Sequence, residues 1–183
     1  MTRIAIPTRD EAHPDARPTL DNVNRLLGFV PRLHRLMSLN PNVLAGWAGL
    51  QGSLAKTLDV KTRDAIALAV SEANGCDYCV AAHAYVATNF AKIAPDEIAR
   101  NRKGQSSDPK RAAAATFAKA LIEARGKVSD VEFQAVRDAG YADGEIVAII
   151  GLTAQFLMTN FMNNAAGTAV DFPETADVTS VAA

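Results

Sequence analysis

Arg63-Asp64-Ala65-Ile66-Ala67-Leu68-Ala69-Val70-Ser71-Glu72-Ala73-Asn74-Gly75-Cys76-Asp77-Tyr78-Cys79-Val80-Ala81-Ala82-His83 decides the fold class. Ala65–Val70 is apolar on every face of a helix, and such a helix is buried all round. Asn74-Gly75 breaks it, with Gly75 suited to a helix C-cap. A second helix then carries Cys76, Cys79 and His83.

Further helices are expected on both sides. Pro7, Pro14 and Pro18 disfavour helix and predict an extended arm over 1–18. A short helix is expected from about Leu20 to Leu27, stopped by Gly28, and Pro31 opens another with Leu33, Leu36 and Met37 apolar. Asn40-Pro41 is a helix start, followed by Val43, Leu44, Trp47, Leu50 and Leu54 at helical spacing. Asp59 or Thr62 starts the central helix. Beyond the cysteines, Pro95-Asp96-Glu97 opens a short helix, residues 103–109 are a loop, and Asp108-Pro109 caps an Ala-rich helix over 110–125. Ser129 with Glu132 forms a capping-box pattern for a helix to about Ala139. The last long helix runs from Ala142-Asp143 to about Ala166, before an irregular tail over 172–183. Only 6% of residues are aromatic and alternating β-branched runs are scarce, so the reading is all-α, with about eight helices in one domain over 1–183.

Charge and hydropathy narrow the function. With 19 Lys+Arg against 20 Asp+Glu the net charge is −1, which argues against a nucleic-acid partner or a polybasic membrane surface. At 49% hydrophobic and 21% charged the composition is globular. The longest apolar-rich run, Ile146 to Met162, is interrupted by Thr153, Gln155, Thr159 and Asn160, so no membrane span is expected. The opening MTRIAIPTRDEAHPD has no apolar signal core, and a cytoplasmic location is expected. Ala-rich helices bury little area each, so a homo-oligomer is expected.

The chemistry sits in the only two cysteines, Cys76 and Cys79, with His83 four residues on. On a helix these three share a face. An ordinary thiol of pKa ~8.5 is only about 3% thiolate at pH 7, and lowering it to ~6.5 makes it about three-quarters thiolate. A helix N-terminus near Cys76 and an imidazole at His83, as base or as imidazolium, can both supply that shift. A structural disulfide fits poorly in a reducing compartment, because so small a loop gains little by closure. Zinc would lack an obvious fourth ligand, and two inert buried thiols are the remaining bland alternative. No βαβ pattern surrounds the pair, so it is not of the thioredoxin type. Asp64, at the head of the apolar helix, must find a partner or protonate if buried. It is either a first-turn acid favoured by the helix dipole or a relay carboxylate reaching the thiols through His83. Glu72 reads as a local cap or solvent-facing acid.

Weaker candidates surround this group. His13 reads as solvent-exposed in the arm and His34, between Arg32 and Arg35, as surface rather than ligand. Trp47 reads as core or subunit contact rather than substrate platform. Tyr78 either shapes access or packs. Asn160, Asn163 and Asn164 either hydrogen-bond near the site or serve caps and contacts. Arg102, Lys103, Lys110 and Arg111 read as a solvated basic loop.

The stretch from Arg63-Asp64 to His83 resembles the alkylhydroperoxidase D-like (AhpD-like) branch of the carboxymuconolactone decarboxylase superfamily. Asn160-Phe161-Met162-Asn163-Asn164-Ala165-Ala166-Gly167-Thr168-Ala169-Val170-Asp171-Phe172-Pro173 resembles the end of such proteins, and the likeness covers roughly 30–173. The resemblance implies an all-helical fold in homo-oligomers (dimer, trimer or hexamer) and a thiol peroxidase using neither haem nor metal. It implies a peroxidatic role for Cys79, a resolving role for Cys76 and a proton relay through His83. The family's relay glutamate falls on Asp64, one methylene shorter, which calls for a bridging water or gives a weaker relay, with Glu72 as a possible substitute. The implied partners are a small organic hydroperoxide or hydrogen peroxide and an unidentified thiol/disulfide reductant protein. Two alternatives stand beside this: a cofactor-free decarboxylase or lyase using His83 as acid/base, and a non-enzymatic oligomeric module with redox-sensing thiols.

Overall fold

The computed structural model describes residues 2–172; Pro173 and nearly all of the expected tail lie outside the described residues. Pro14–Ala16 forms one 3-10 turn. Nine α-helices follow among the described residues: α1 (Arg17–Leu27), α2 (Arg32–Met37), α3 (Pro41–Leu54), α4 (Val60–Ala73), α5 (Asp77–Asn89), α6 (Pro95–Arg102), α7 (Pro109–Glu123), α8 (Asp130–Asp138) and α9 (Asp143–Ala166).

The all-α expectation holds, with a count of nine rather than about eight. The arm is shorter than expected, because two of its prolines start helix instead of preventing it. Pro14 opens the 3-10 turn, capped by His13, whose side chain accepts from the Asp15 N–H at 3.2 Å, and Pro18 lies in the first turn of α1. A proline there gives up an N–H that has no helical partner anyway. The remaining arm is tied down where Arg9 forks onto Asp21 at 2.7 and 2.6 Å.

Asp59, rather than Thr62, starts α4, its carboxylate accepting from the N–H groups of Lys61 and Thr62 at 3.0 and 3.1 Å. The helix then runs through the centre and touches α5, α6, α7 and α9. Every residue from Asp64 to Ser71 is buried. Ile66 and Val70 meet Phe117 and Leu121 of α7 and Ile149 and Leu152 of α9. Leu68 faces Ala84 and Ala87 of α5 and Ile98 of α6. Ala65 and Ala69 pack on Ala115, small side chains that let α4 and α7 approach closely. Burying a Leu, Ile or Phe contributes roughly 1.5–3 kcal/mol each, so this set carries much of the fold.

At 24 residues α9 is long and apolar enough, by length and composition, to cross a membrane, and half of it is buried in the helical assembly. The interruptions noted in its sequence have a structural use: Thr153, Gln155, Thr159, Asn160 and Asn163 are all buried. A second core joins Ala12, Leu20, Leu33, Met37 and Leu44 of the N-terminal segments to Cys76, Tyr78 and Cys79. The cysteines therefore lie in the seam between the layer α1–α3 and the pair α4–α5.

Candidate functional site

The turn between α4 and α5 sets the cysteines. Gly75 has φ +58, the left-handed conformation that glycine adopts without a Cβ penalty. Its N–H donates to Glu72 O at 3.0 Å, while the Cys76 N–H donates to Ser71 O at 2.9 Å. This is the Schellman pattern, which satisfies two end carbonyls of α4. Cys76 is at once the residue after that cap and the N-cap of α5, and Cys79 is the third residue of α5. Cys76 thus stands just outside the helix instead of on a continuous face with Cys79 and His83. Both thiols are free and buried, 0% and 2% exposed.

The two sulfurs are unequal. The Cys76 thiol hydrogen-bonds the Cys79 sulfur and pulls its pKa below the ordinary thiol value; burial opposes this, and Asn163, Asn160 and Thr159 add to the lowering. Asn163 Nδ2 donates to Cys79 Sγ at 3.2 Å. Cys76 is pushed the other way, because its proton is held on Cys79 and burial disfavours its charge. A dipole effect on Cys76, expected from its place at a helix start, is therefore outweighed, and the thiolate character falls on Cys79.

His83 packs edge-on against Phe156, ring centroids 5.0 Å apart. Burial lowers it to about 4, so it is a neutral imidazole, a base rather than an imidazolium, at neutral pH. Asp64 is 7% exposed and its Oδ2 has no partner. Burial raises its carboxyl to about 7, against a lowering by Arg63. It lies beyond the first turn of α4, so it is no dipole-stabilised end acid. Asp64, Cys79 and His83 line one cavity of about 330 Å3. Among the described residues no direct hydrogen bond joins Asp64 to His83, so a relay between them would need a bridging water or bound molecule. Glu72 is not part of this group: it is exposed and paired with Arg102 at 2.7 Å.

Several residues read as bland or left open from sequence lie at the site. His34 and Trp47 line the same cavity and meet edge to face at 5.0 Å. The Tyr78 hydroxyl accepts from the Leu33 N–H at 3.1 Å and donates to Asp171 Oδ1 at 2.9 Å, fixing α2 and residue 171 beside the thiols. Asn163 touches Cys79, while Asn160 donates to Ser71 Oγ at 3.3 Å and Asn164 to Asn74 O at 3.0 Å. The signal for Asn163 was present as polar residues at helical spacing on an otherwise apolar, buried helix. The basic group is not simply solvated, since Arg111 faces Glu97 at 3.6 Å and Arg102 holds Glu72. His13 stays exposed, as expected.

Residues 41–124, which include the thiols, His83 and Asp64, match the carboxymuconolactone decarboxylase family. The crystal structure of an alkylhydroperoxidase AhpD core, a peroxidase-related protein from Ralstonia eutropha, superposes with a TM-score of 0.82 at 26% identity, covering 93% of this chain and 92% of that one. The chain thus carries a segment similar to the carboxymuconolactone decarboxylase family within a fold similar to the AhpD core. Two other structures share the AhpD-like fold over 93% of this chain and 92% of theirs. One is a peroxidase-related protein from a Silicibacter species, at 21% identity and TM-score 0.80. The other is the debrominase Bmp8 in complex with 2,3,4-tribromopyrrole, at 22% and 0.79. No curated protein matches this chain in sequence.

Proposed function

We propose that this AhpD-like chain is a thiol-dependent hydroperoxide reductase that cycles Cys76 and Cys79 between dithiol and disulfide. The observation that carries the reading is the Cys79 sulfur, lowered in pKa by Cys76 and Asn163, on a cavity it shares with His83 and Asp64. The peroxidase-related neighbour at 26% identity supports it.

In this reading His83 takes the Cys79 proton and passes it, through a water, to Asp64. The Cys79 thiolate attacks the terminal oxygen of a hydroperoxide and the O–O bond breaks. The sulfur becomes a sulfenic acid, and the alkoxide takes the Asp64 proton and leaves as alcohol. Cys76 then attacks Cys79 Sγ; the S–O bond breaks, and the hydroxide leaves as water with the proton that Cys76 releases. An external dithiol reduces the resulting disulfide. Two thiols and one hydroperoxide thus give one disulfide, one alcohol and one water. We place the cycle in the cytoplasm, whose reducing poise resets it.

We also propose a homo-oligomer. Val147, Ile150 and Phe161 of α9 and Leu50 of α3 stand exposed, and no charged residue occurs from Ile146 to Val170. Light scattering on the eluting protein reads dimer, trimer or hexamer against monomer.

The test of the peroxidase reading is a thiol count. Fully reduced protein, freed of reductant, receives one equivalent of cumene hydroperoxide and is quenched under denaturing conditions. Loss of both thiols with no oxygen added to the mass is the expected result. Survival of both thiols sinks the reading and favours acid–base chemistry at His83.

A further inference from the structure

Eight buried polar side-chain atoms have no hydrogen-bond partner among the described residues, and four of them belong to residues lining the one cavity beside Cys79: His34 Nδ1, Trp47 Nε1, Asp64 Oδ2 and Gln155 Oε1. An unpaired buried polar atom costs on the order of 1–3 kcal/mol, so such groups normally meet water or a ligand. Their concentration around a single cavity marks where a ligand's polar part binds. Asp64 is used by the proposed chemistry. His34 and Trp47 are not.

The His34 and Trp47 rings meet edge to face at 5.0 Å, which holds both in fixed orientation. Burial lowers His34 to about 4 and so keeps it neutral. Leu33, its chain neighbour, is anchored through its N–H to the Tyr78 hydroxyl at 3.1 Å, which seats α2 against the start of α5, where Cys79 lies. Indole N–H can only donate, and a neutral imidazole nitrogen can accept. Around them the cavity wall is largely apolar, with Leu33, Val86, Leu152 and Phe156 among its lining. The one cation on that wall, Arg63, donates to Leu58 O. A donor and an acceptor side by side in an apolar cavity with Asp64 suit a neutral molecule with an apolar body and one O–H group. His34 also lies before residue 41, where the family match begins, so this contact belongs to the chain's N-terminal layer.

We propose that His34 and Trp47 together hold the O–H of a neutral, apolar-bodied alcohol or hydroperoxide, with His34 Nδ1 accepting its hydrogen and Trp47 Nε1–H donating to its oxygen. The proposal rests on that cavity being the substrate site, and it is tested by binding to the reduced protein, without turnover. Trp47 is the only tryptophan in the chain, so its fluorescence reports occupancy. The probes are 2-phenylpropan-2-ol and isopropylbenzene, which share a body and differ by the hydroxyl.

In the wild type the alcohol binds with a saturable fluorescence change and is preferred over the hydrocarbon. His34→Phe keeps the ring on Trp47 but removes the nitrogen, and it lowers that preference about ten-fold, the worth of a hydrogen bond whose partner is left buried. His34→Asn keeps a polar atom near the Nδ1 position and retains most of the preference. If His34→Phe does not fold, Trp47→Phe read by calorimetry carries the same ten-fold expectation. An unchanged preference in the folded variant overturns the proposal, as does the absence of saturable alcohol binding in the wild type. A failed thiol count with an intact His34-dependent preference removes the peroxidase reading alone. A successful count with an unmoved preference removes the His34–Trp47 assignment alone.

Discussion

The side-chain amide of Asn163 on α9 donates to the sulfur of Cys79 on α5 at 3.2 Å, across 84 residues of chain. A hydrogen bond to the charged form of a group favours that form. The contact also spans two helices, so the thiol's ionisation depends on how α9 packs against α5. Asn163→Leu, similar in size and unable to donate, is expected to raise the pH midpoint of Cys79 alkylation by iodoacetamide by about one unit. The midpoint is read by mass spectrometry, and an unmoved midpoint removes Asn163 from the thiol's electrostatics.

The inequality of the two sulfurs gives a second expectation. In Cys76→Ser, peroxide leaves a sulfenic acid on Cys79 that no neighbouring thiol resolves. Dimedone then adds once per chain at Cys79, whereas the wild type treated in the same way shows a disulfide and little adduct. Adduct at Cys76 in the reciprocal Cys79→Ser protein would reverse the assignment of roles.

Asp64 and Glu72, eight positions apart, separate a buried acid from a surface one. Asp64→Asn is expected to slow peroxide-dependent thiol loss by about ten-fold or more, the scale of a lost proton-transfer group. Glu72→Gln breaks only the partly exposed pair with Arg102. Such pairs contribute about 0–1 kcal/mol, so thiol loss should stay within about two-fold of wild type.

Asp64 also shapes the pH dependence of stability. Its folded pKa, about 7, lies above its ordinary value of 3.8, so folding favours the protonated form. That contribution is fully present below 3.8 and is lost as pH rises through 7. Asparagine mimics the protonated acid, so Asp64→Asn should match the wild type near pH 4 and exceed its Tm at pH 8 by about 5 °C or more. His83 acts on the other limb. Its folded pKa, about 4, lies below 6.5, so the stability gained by keeping it neutral is lost as pH falls from about 6.5 toward 4. Asp64→Asn leaves that acid limb in place.

Gly75 supplies the last expectation. A Cβ there meets nothing within 4 Å, so the strain of Gly75→Ala is conformational, from φ +58 alone. The variant should lose about 1 kcal/mol in urea unfolding with an unchanged slope.

The helices were readable because their signals are local. Asp59, Asn40, Asp108 and Ser129 all cap the helices that follow them, and the all-apolar stretch after Asp64 marked the central helix. The thiols, His83 and Asp64 were readable because they lie within 20 residues of one another and carry distinctive chemistry. Asn163, His34 and Trp47 come from helices distant in sequence, and packing alone brings Asn163 to the Cys79 sulfur and the two rings to the cavity. An asparagine on a buried helix reads the same whether it faces a sulfur or a backbone carbonyl. Pro14 misled because a proline disfavours helix interiors yet suits a first turn.

The layer α1–α3 covers both sulfurs, and this gives the two halves of a thiol cycle unequal steric demands. A small peroxide can approach Cys79 along the cavity. A reducing protein must bring its own sulfur in line with the disulfide, and a chamber of about 330 Å3 does not admit a folded surface. In the proposed cycle, resetting the pair therefore calls for either a reductant slim enough to thread the cavity or a transient lifting of the helices that carry Leu20, Leu33 and Leu44. Oxidation in that cycle needs no such opening.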